Sequence, residues 1–248
     1  MAGQSLVAIE VARGVARIAL HGSRAGSHAN LRLAEQLRAT LEEISVLDTA
    51  RVVLLSSDGP DFWRGGAGRV ATTTDVNRYR IASHLAAVPQ PVVVAIQGRA
   101  FDQGLEFALA GDIRIAADDA RFALRQLTRG QLPFDGGTQR LSRVVRRGVA
   151  TDMLLTGREL TAAEALACGL VSEVVVPGRL LARAIDIAEG IAMRGAAATR
   201  FAREAIRRGS DLRLDDGMRL EADLNFLLFP DEDRRAGLDA FRKRRKRT

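Results

Sequence analysis

The sequence predicts an α/β fold that continues into a helical C-terminal region, and three observations predict it. Near-continuous apolar runs at residues 51–56 (RVVLLS) and 91–96 (PVVVAI) have the composition of strands buried on both faces. Each run passes through a glycine-bearing loop into a helical pattern, so strand, loop and helix alternate along the chain. From Gly137 onward the pattern changes to successive amphipathic helices. With 248 residues, 47% of them hydrophobic, the chain has enough apolar surface to bury a sizeable core.

In chain order, residues 5–20 (SLVAIEVARGVARIAL) give two short alternating runs around Arg13-Gly14, a hairpin. Residues 31–47 place Leu33, Leu37, Leu41 and Ile44 at helical spacing, and the strand 51–56 follows. The loop 56–68 (SSDGPDFWRGGAG) leads into a helical pattern that runs to about Val88, and the second strand, 91–96, comes next. Residues 97–104 form another loop, 105–111 (LEFALAG) an apolar helix, and 112–117 (DIRIAA) a third strand. Beyond Gly137 a short strand at 173–176 interrupts helices at 179–193, 196–208, 214–229 and 231–243. No low-complexity linker separates the parts. The expected organisation is a core over residues 1–190 and a helical oligomerisation region over 191–248, in which Phe226, Leu227, Leu228 and Phe229 form an apolar block suited to another subunit.

The formal charge of +7 and the pI near 10.9 suggest nucleic acid until the charge is located. Six positive charges fall on residues 242–247, which leaves the body of the chain nearly neutral. Only Phe241 adjoins that tail, without the interleaved aromatics of a single-strand binder, so no nucleic-acid partner is expected. No apolar run is long enough to span a membrane and the N-terminus lacks signal-peptide character, so a cytoplasmic protein without a membrane partner is expected. One cysteine, Cys168, can form neither an internal disulfide nor a thiolate cluster and reads as a packed thiol. His21, His28 and His84 lie far apart without ligand spacing, so no metal is expected.

Two glycine loops, each after a buried strand, carry the best chemical signal. One is Trp63-Arg64-Gly65-Gly66-Ala67-Gly68 and the other Gln103-Gly104 at the start of a helix. Backbone N–H groups from two such loops can converge on one carbonyl oxygen, where a single donor is worth about 3 to 4 kcal/mol of transition-state stabilisation. Glycine after a strand also serves plain tight turns. Glu106 stands in an otherwise apolar helix start, and a carboxylate on that background is either paired or catalytic, because an unpaired buried charge costs several kcal/mol or forces protonation. No dinucleotide-binding or phosphate-loop motif is present.

Taken in order, these segments resemble the enoyl-CoA hydratase/isomerase (crotonase) superfamily from end to end. The stretch PVVVAIQGRAFDQGLEFALAGDIRIAADDARFAL is similar to that family's second oxyanion loop, catalytic helix and following strand. LPFDGGTQRLSRVV is similar to its signature after the second catalytic position, LLTGRELTAAEALACGLVSEVV to its helix-turn-helix tail, and PDEDRRAGLDAFRKRR to its C-terminal helix. The resemblance implies a crotonase-like spiral of ββα units with a helical trimerisation region, assembled as a trimer or a dimer of trimers. It implies an acyl-CoA substrate, with coenzyme A as part of the thioester and no permanently bound cofactor. The thioester oxygen would lie between the N–H groups of Gly66 and Gln103, and Gly104 would complete the second loop. Ser27, His28 and Asn30 match one wall of the coenzyme A site, and Arg64, Gly66, Ala67, Gly68 and Arg69 the other. Lys243 of a neighbouring subunit resembles the family's contact to the nucleotide phosphates.

The sequence also departs from the family. Hydratases use two glutamates; Glu106 matches the first position, but Gln126 stands at the second, and an amide cannot accept and return a proton. Loss of one general acid/base typically costs about 10²- to 10⁴-fold. Asp102-Gln103-Gly104 replaces a glycine run, Ala67 a frequent aspartate, and Phe134-Asp135 a glycine and its neighbour. Phe134 would narrow the water site, while Asp102 and Asp135 each bring a carboxylate that could replace the missing one. Three readings follow. The first is an acyl-CoA lyase or isomerase of fatty acid metabolism, acting by hydration, dehydration or a double-bond shift. The second is a decarboxylase or hydrolase of a CoA or carrier-protein thioester, and the third a non-catalytic acyl-CoA-binding relative. The polar stretch TTTDVNRY points to a small or oxygenated acyl group.

Overall fold

The computed structural model describes residues 5–21, 31–65 and 77–230. The strands among them are β1 (Val7–Ala12), β2 (Val15–Leu20), β3 (Val52–Ser57), β4 (Val92–Ile96), β5 (Arg99–Phe101), β6 (Ile113–Ala117), β7 (Arg121–Ala123), β8 (Leu160–Thr161) and β9 (Glu173–Val175). The helices are α1 (Leu31–Ser45), α2 (Ala82–Ala87), α3 (Gln103–Ala108), α4 (Gly137–Val144), α5 (Arg147–Thr156), α6 (Ala162–Ala167), α7 (Leu180–Ala192), α8 (Ala196–Gly209) and α9 (Leu214–Leu227). A six-stranded sheet has the order β1-β2-β3-β4-β6-β9, and a three-stranded sheet the order β5-β7-β8.

The expected hairpin is present. Ala12 pairs with Val15, and Arg13 and Gly14, with φ of 51° and 79°, make the two-residue turn whose twist matches the flanking antiparallel strands. From β2 to β9 every neighbouring pair in the large sheet is parallel. Parallel strands covered on both faces need apolar residues at every position, which is why β3 and β4 lack alternation. Val53, Leu55, Val92, Val94 and Ile96 face the larger core with Leu33, Leu37, Leu41 and Ile44 of α1. Their neighbours Val52, Leu54, Val93 and Ala95 face α7, which meets them with Leu180, Ala184, Ala188 and Ala192. Alanine at that four-residue spacing lets α7 lie close to the sheet.

The smaller sheet is the part that the sequence pattern does not show. Residues 97–104, expected to be a loop, contain β5, and β7 and β8 have only three and two residues. The short strand near Glu173 is β9, the last of the large sheet. α8 is tied to the core by Arg203, which donates from Nε to Asp112 Oδ2 at 2.6 Å and from Nη1 to the Val88 carbonyl at 2.5 Å. The expected helix 231–243 lies outside the described residues. Among the described residues no helix is long and apolar enough to cross a membrane.

Candidate active site

The site starts where the chain leaves β4. Gly98, at φ 55°, turns it into β5, and Trp63 of the first glycine loop pairs with Ala100 in parallel. Trp63 donates its N–H to Arg99 O and Phe101 donates to Trp63 O, both at 2.9 Å, so the first loop lies along β5 like an added strand. The approach is close enough to require glycine. A Cβ on Gly65 would stand 2.6 Å from Gln103 N and 2.8 Å from Gly104 N, and one on Gly104 would collide with the Trp63 carbonyl.

α3 begins at once. Gln103 and Gly104 are its first two residues, and their N–H groups have no acceptor within the helix. Glu106 sits three residues after Gln103, on the same side of the helix. The Gln103 side chain donates to Tyr79 O at 2.5 Å, which orients the start of the helix toward the segment before α2.

Glu106 is fully buried. Its Oε1 accepts the N–H groups of Asp135 and Gly137, both at 2.8 Å, and its Oε2 accepts from Gln126 Nε2 at 3.3 Å. Gly137 makes room for this: a Cβ there would lie 3.1 Å from Glu106 Oε1 and 2.8 Å from Pro133 Cβ. Burial pushes the Glu106 pKa up to about 7. The Gly137 and Asp135 amides pull it down, while the negative charges of Asp135 and Asp102 push it up. A carboxyl that exchanges its proton near neutrality is suited to general acid/base work. Gln126 Oε1 is buried beside it without a partner, an acceptor available to a hydroxyl.

Asp135 and Asp102, the two carboxylates that the sequence offered as substitutes, are both engaged elsewhere. Asp135 Oδ2 accepts the N–H groups of Ile81 and Ala82 at 2.7 and 2.8 Å and so caps α2 from a distant loop. Its Oδ1 accepts no hydrogen bond and has Arg80 Nε 4.0 Å away as a distant ion-pair partner, and burial raises its pKa. Asp102 Oδ1 accepts the Arg125 N–H at 2.6 Å, and its Oδ2 is paired with Arg129 Nη2 at 2.7 Å. Both oxygens of Asp102 are therefore held within the scaffold.

Of the residues expected at the site, the structure brings together Gln103, Gly104, Glu106, Gln126 and Asp135. Arg64 lies on the first loop, with Nε 2.9 Å from Asp61 Oδ2, and Phe134 is half-buried. Ser27, His28, Asn30, Gly66, Ala67, Gly68, Arg69 and Lys243 lie outside the described residues. Among the described residues no group of three or more histidine, cysteine, aspartate or glutamate side chains is placed to hold a metal ion. His21 pairs with Asp58, and the half-buried Cys168 thiol packs at the Ala165 carbonyl. Sequence reasoning missed Arg140, which donates to the Asp135 carbonyl at 2.5 Å and so holds the loop around Glu106, and it missed Arg129. Arg129 belongs to no local pattern, and Arg140, although within the signature-like stretch LPFDGGTQRLSRVV, carries no sequence mark of its contact to Asp135.

Fold and site together define an α/β protein with a buried carboxyl, Glu106, whose pKa is raised, close to the N-terminus of the short helix α3. The model of the enoyl-CoA hydratase/isomerase family matches residues 10–248. YngF of Bacillus subtilis, a protein assigned to the enoyl-CoA hydratases/isomerases, is 35% identical over 241 residues, 94% of this chain and 93% of that protein. The 2,3-dehydroadipyl-CoA hydratase of Escherichia coli is 33% identical over 210 residues, 82% of each chain. A crystal structure of an enoyl-CoA hydratase from Bacillus anthracis superposes with a TM-score of 0.92 at 35% identity, covering 97% of both chains. The chain belongs to the enoyl-CoA hydratase/isomerase family and has the crotonase fold, with helices at its C-terminal end.

Proposed function

We propose that this protein is an enoyl-CoA hydratase that works with one carboxylate. Glu106 is the acid/base, and the Gln103 amide, with Gly66 of the first loop, is the oxyanion hole for the thioester oxygen. The observation that carries this reading is the setting of Glu106. It is fully buried, held by three donors, titrates near pH 7, and lies three residues after Gln103, whose amide opens α3. The ionised Glu106 takes a proton from water as the water oxygen bonds to the β-carbon. The C=C electron pair moves through the α-carbon onto the thioester oxygen, and the same carboxyl then returns its proton to the α-carbon. Gln126 donates to Glu106 through Nε2 and offers Oε1 to the attacking water. Running the steps backward gives dehydration; a double-bond shift would omit the water, with Glu106 taking a proton from the α-carbon of a β,γ-enoyl thioester to form a dienolate held in the oxyanion hole and returning it to the γ-carbon.

Coenzyme A enters as part of the substrate. Ser27, His28, Asn30, Arg64, Ala67, Gly68, Arg69 and, from a neighbouring copy, Lys243 are the residues proposed to hold it. Its acyl group is proposed to be small or oxygenated, in keeping with Tyr79, Arg80 and Gln103 beside the site. The proposed setting is cytoplasmic acyl-CoA metabolism, and the helices after residue 190 are proposed as the oligomerisation region of a trimer or hexamer. One observation favours a second reading. Gln126 cannot serve as a second acid/base, whereas decarboxylation or hydrolysis of a thioester needs mainly the oxyanion hole.

The test is crotonyl-CoA turnover, followed as loss of the conjugated thioester absorbance. Wild-type turnover that falls by about 10²-fold or more in Glu106→Gln and rises in Gln126→Glu is the expected outcome. Tight acyl-CoA binding without turnover would move the assignment to the second reading or to a non-catalytic acyl-CoA-binding role.

A further inference from the structure

We propose that Asp102 is a positioning residue: its carboxylate straps the start of α3 to the turn that carries Gln126, and so sets the Glu106–Gln126 contact and the aim of the Gln103 amide. This inference rests on the proposed roles of Gln103, Glu106 and Gln126.

The backbone at Asp102 has φ 51° and ψ −120°, a conformation that glycine adopts freely and a side chain resists. A glycine would make the same turn without strain, so the aspartate needs a reason in its contacts. The residue is 2% exposed and is held at four points. Its N–H donates to Ala123 O at 2.8 Å, and its carbonyl accepts the Glu106 N–H at 3.0 Å. Its Oδ1 accepts the Arg125 N–H at 2.6 Å, and its Oδ2 takes Arg129 Nη2 at 2.7 Å. Short bonds to an ionised oxygen are the strong class of hydrogen bond.

Arg125 and Arg129 bracket the short 3₁₀ turn Gln126–Arg129, so the strap grips both ends of the element that presents Gln126. A second contact runs the same way. The Arg125 guanidinium lies 4.2 Å from the centre of the Phe101 ring, the residue before Asp102. The outcome is the single link between the proposed acid/base and its amide partner, Gln126 Nε2 to Glu106 Oε2 at 3.3 Å. A buried ion pair for stability alone would also bury Asp102, but it would not predict effects on the chemistry.

Charge supplies that distinction. Glu106 is faced by Asp102 from the start of its own helix, by Asp135 from the loop before α4, and by Arg140 from α4. Removing the Asp102 charge makes Glu106 easier to ionise. Removing Arg129 leaves that charge unpaired and makes Glu106 harder to ionise.

The experiment compares wild type, Asp102→Asn, Asp102→Gly and Arg129→Ala in crotonyl-CoA hydration across pH. A parallel measurement follows the absorbance red shift of a bound chromophoric arylacryloyl-CoA, which reports carbonyl polarisation without turnover. Expected are a fall in kcat of about 10-fold or more with KM within about twofold in all three variants, and a smaller red shift. The rising limb of the pH profile should move to lower pH in Asp102→Asn and to higher pH in Arg129→Ala. Variants that melt earlier yet keep the wild-type kcat, pH limb and red shift would overturn the proposal, as would full activity in Asp102→Gly. Should Asp102→Asn fail to fold, Arg129→Ala decides alone, because its side chain is 45% exposed and its loss leaves the core intact. If wild type binds the chromophore but does not hydrate crotonyl-CoA, the hydratase reading fails. The strap is then judged by the red shift: reduced in the variants supports it, unchanged overturns it.

Discussion

Glu106 holds its proton more tightly in the folded chain than in the unfolded one, with a pKa of about 7 against the 4.5 of a free glutamate, and burial is the main cause. Between those values the native state binds more protons than the unfolded state, so stability is greatest below the unfolded pKa and declines as pH rises toward 7. Glu106→Gln removes the ionisable group and keeps an oxygen that can accept the Asp135 and Gly137 amides. The variant is therefore expected to gain about 3 kcal/mol over wild type well above pH 7 and little near pH 4. Chemical denaturation at both pH values checks this. A gain that does not depend on pH would show that the carboxyl is not the cause. Glu106 was legible in the sequence because one carboxylate on an apolar helix start must be paired or functional. The fates of Asp102 and Asp135 were not legible, because their partners lie 23 to 54 residues away and only the fold brings them together.

At the scale of elements, the site depends on two loops lying side by side, and Gly104 is where they touch. A Cβ at Gly104 would meet the Trp63 backbone, which cannot rotate away as a side chain would. Gly104→Ala should therefore cost about 1 to 3 kcal/mol, as overpacking does. By parting the loops it should also lower the proposed thioester polarisation by the about 10² expected for a lost oxyanion donor. Thermal unfolding and crotonyl-CoA kinetics measure the two effects, and wild-type kinetics in a folded Gly104→Ala protein would refute the shared geometry. The elements that sequence patterning revealed are mostly those long enough to show a period or a full apolar run: the hairpin of β1 and β2, α1, β3, β4, β6, and α7 to α9, together with the short α3 and the three-residue β9. β5, β7 and β8 have two or three residues each, too few for periodicity, and they are held together where Ala100, Phe122 and Leu160 pack with Trp63 in the core.

For the whole molecule, the difference between α7 and the two helices after it is informative. α7 buries Leu180, Ala184, Ala188 and Ala192 against the sheet, whereas α8 buries Arg203 and α9 buries Leu224. Arg203 fixes α8 by its ion pair to Asp112, not by apolar packing. Exposed on this helical end are Ile206, Leu214, Met218, Phe226, Leu227 and Phe229, with Phe226 at 73% and Phe229 at 51%. Surface hydrophobics are ordinary when scattered, but this many large ones on two neighbouring helices suit an interaction surface. A helical pair that buries so little against its own core gains stability when copies of the chain cover it, which fits the proposed oligomer. Light scattering should therefore give a mass above the 26.8 kDa of one chain. Phe226→Glu combined with Leu227→Glu should yield smaller species that keep the core far-ultraviolet spectrum, since both side chains lie outside the core. A monomeric wild type would remove the basis for a substrate contact from a neighbouring Lys243. Intact assembly in the double variant would instead place the interface on another face of these helices.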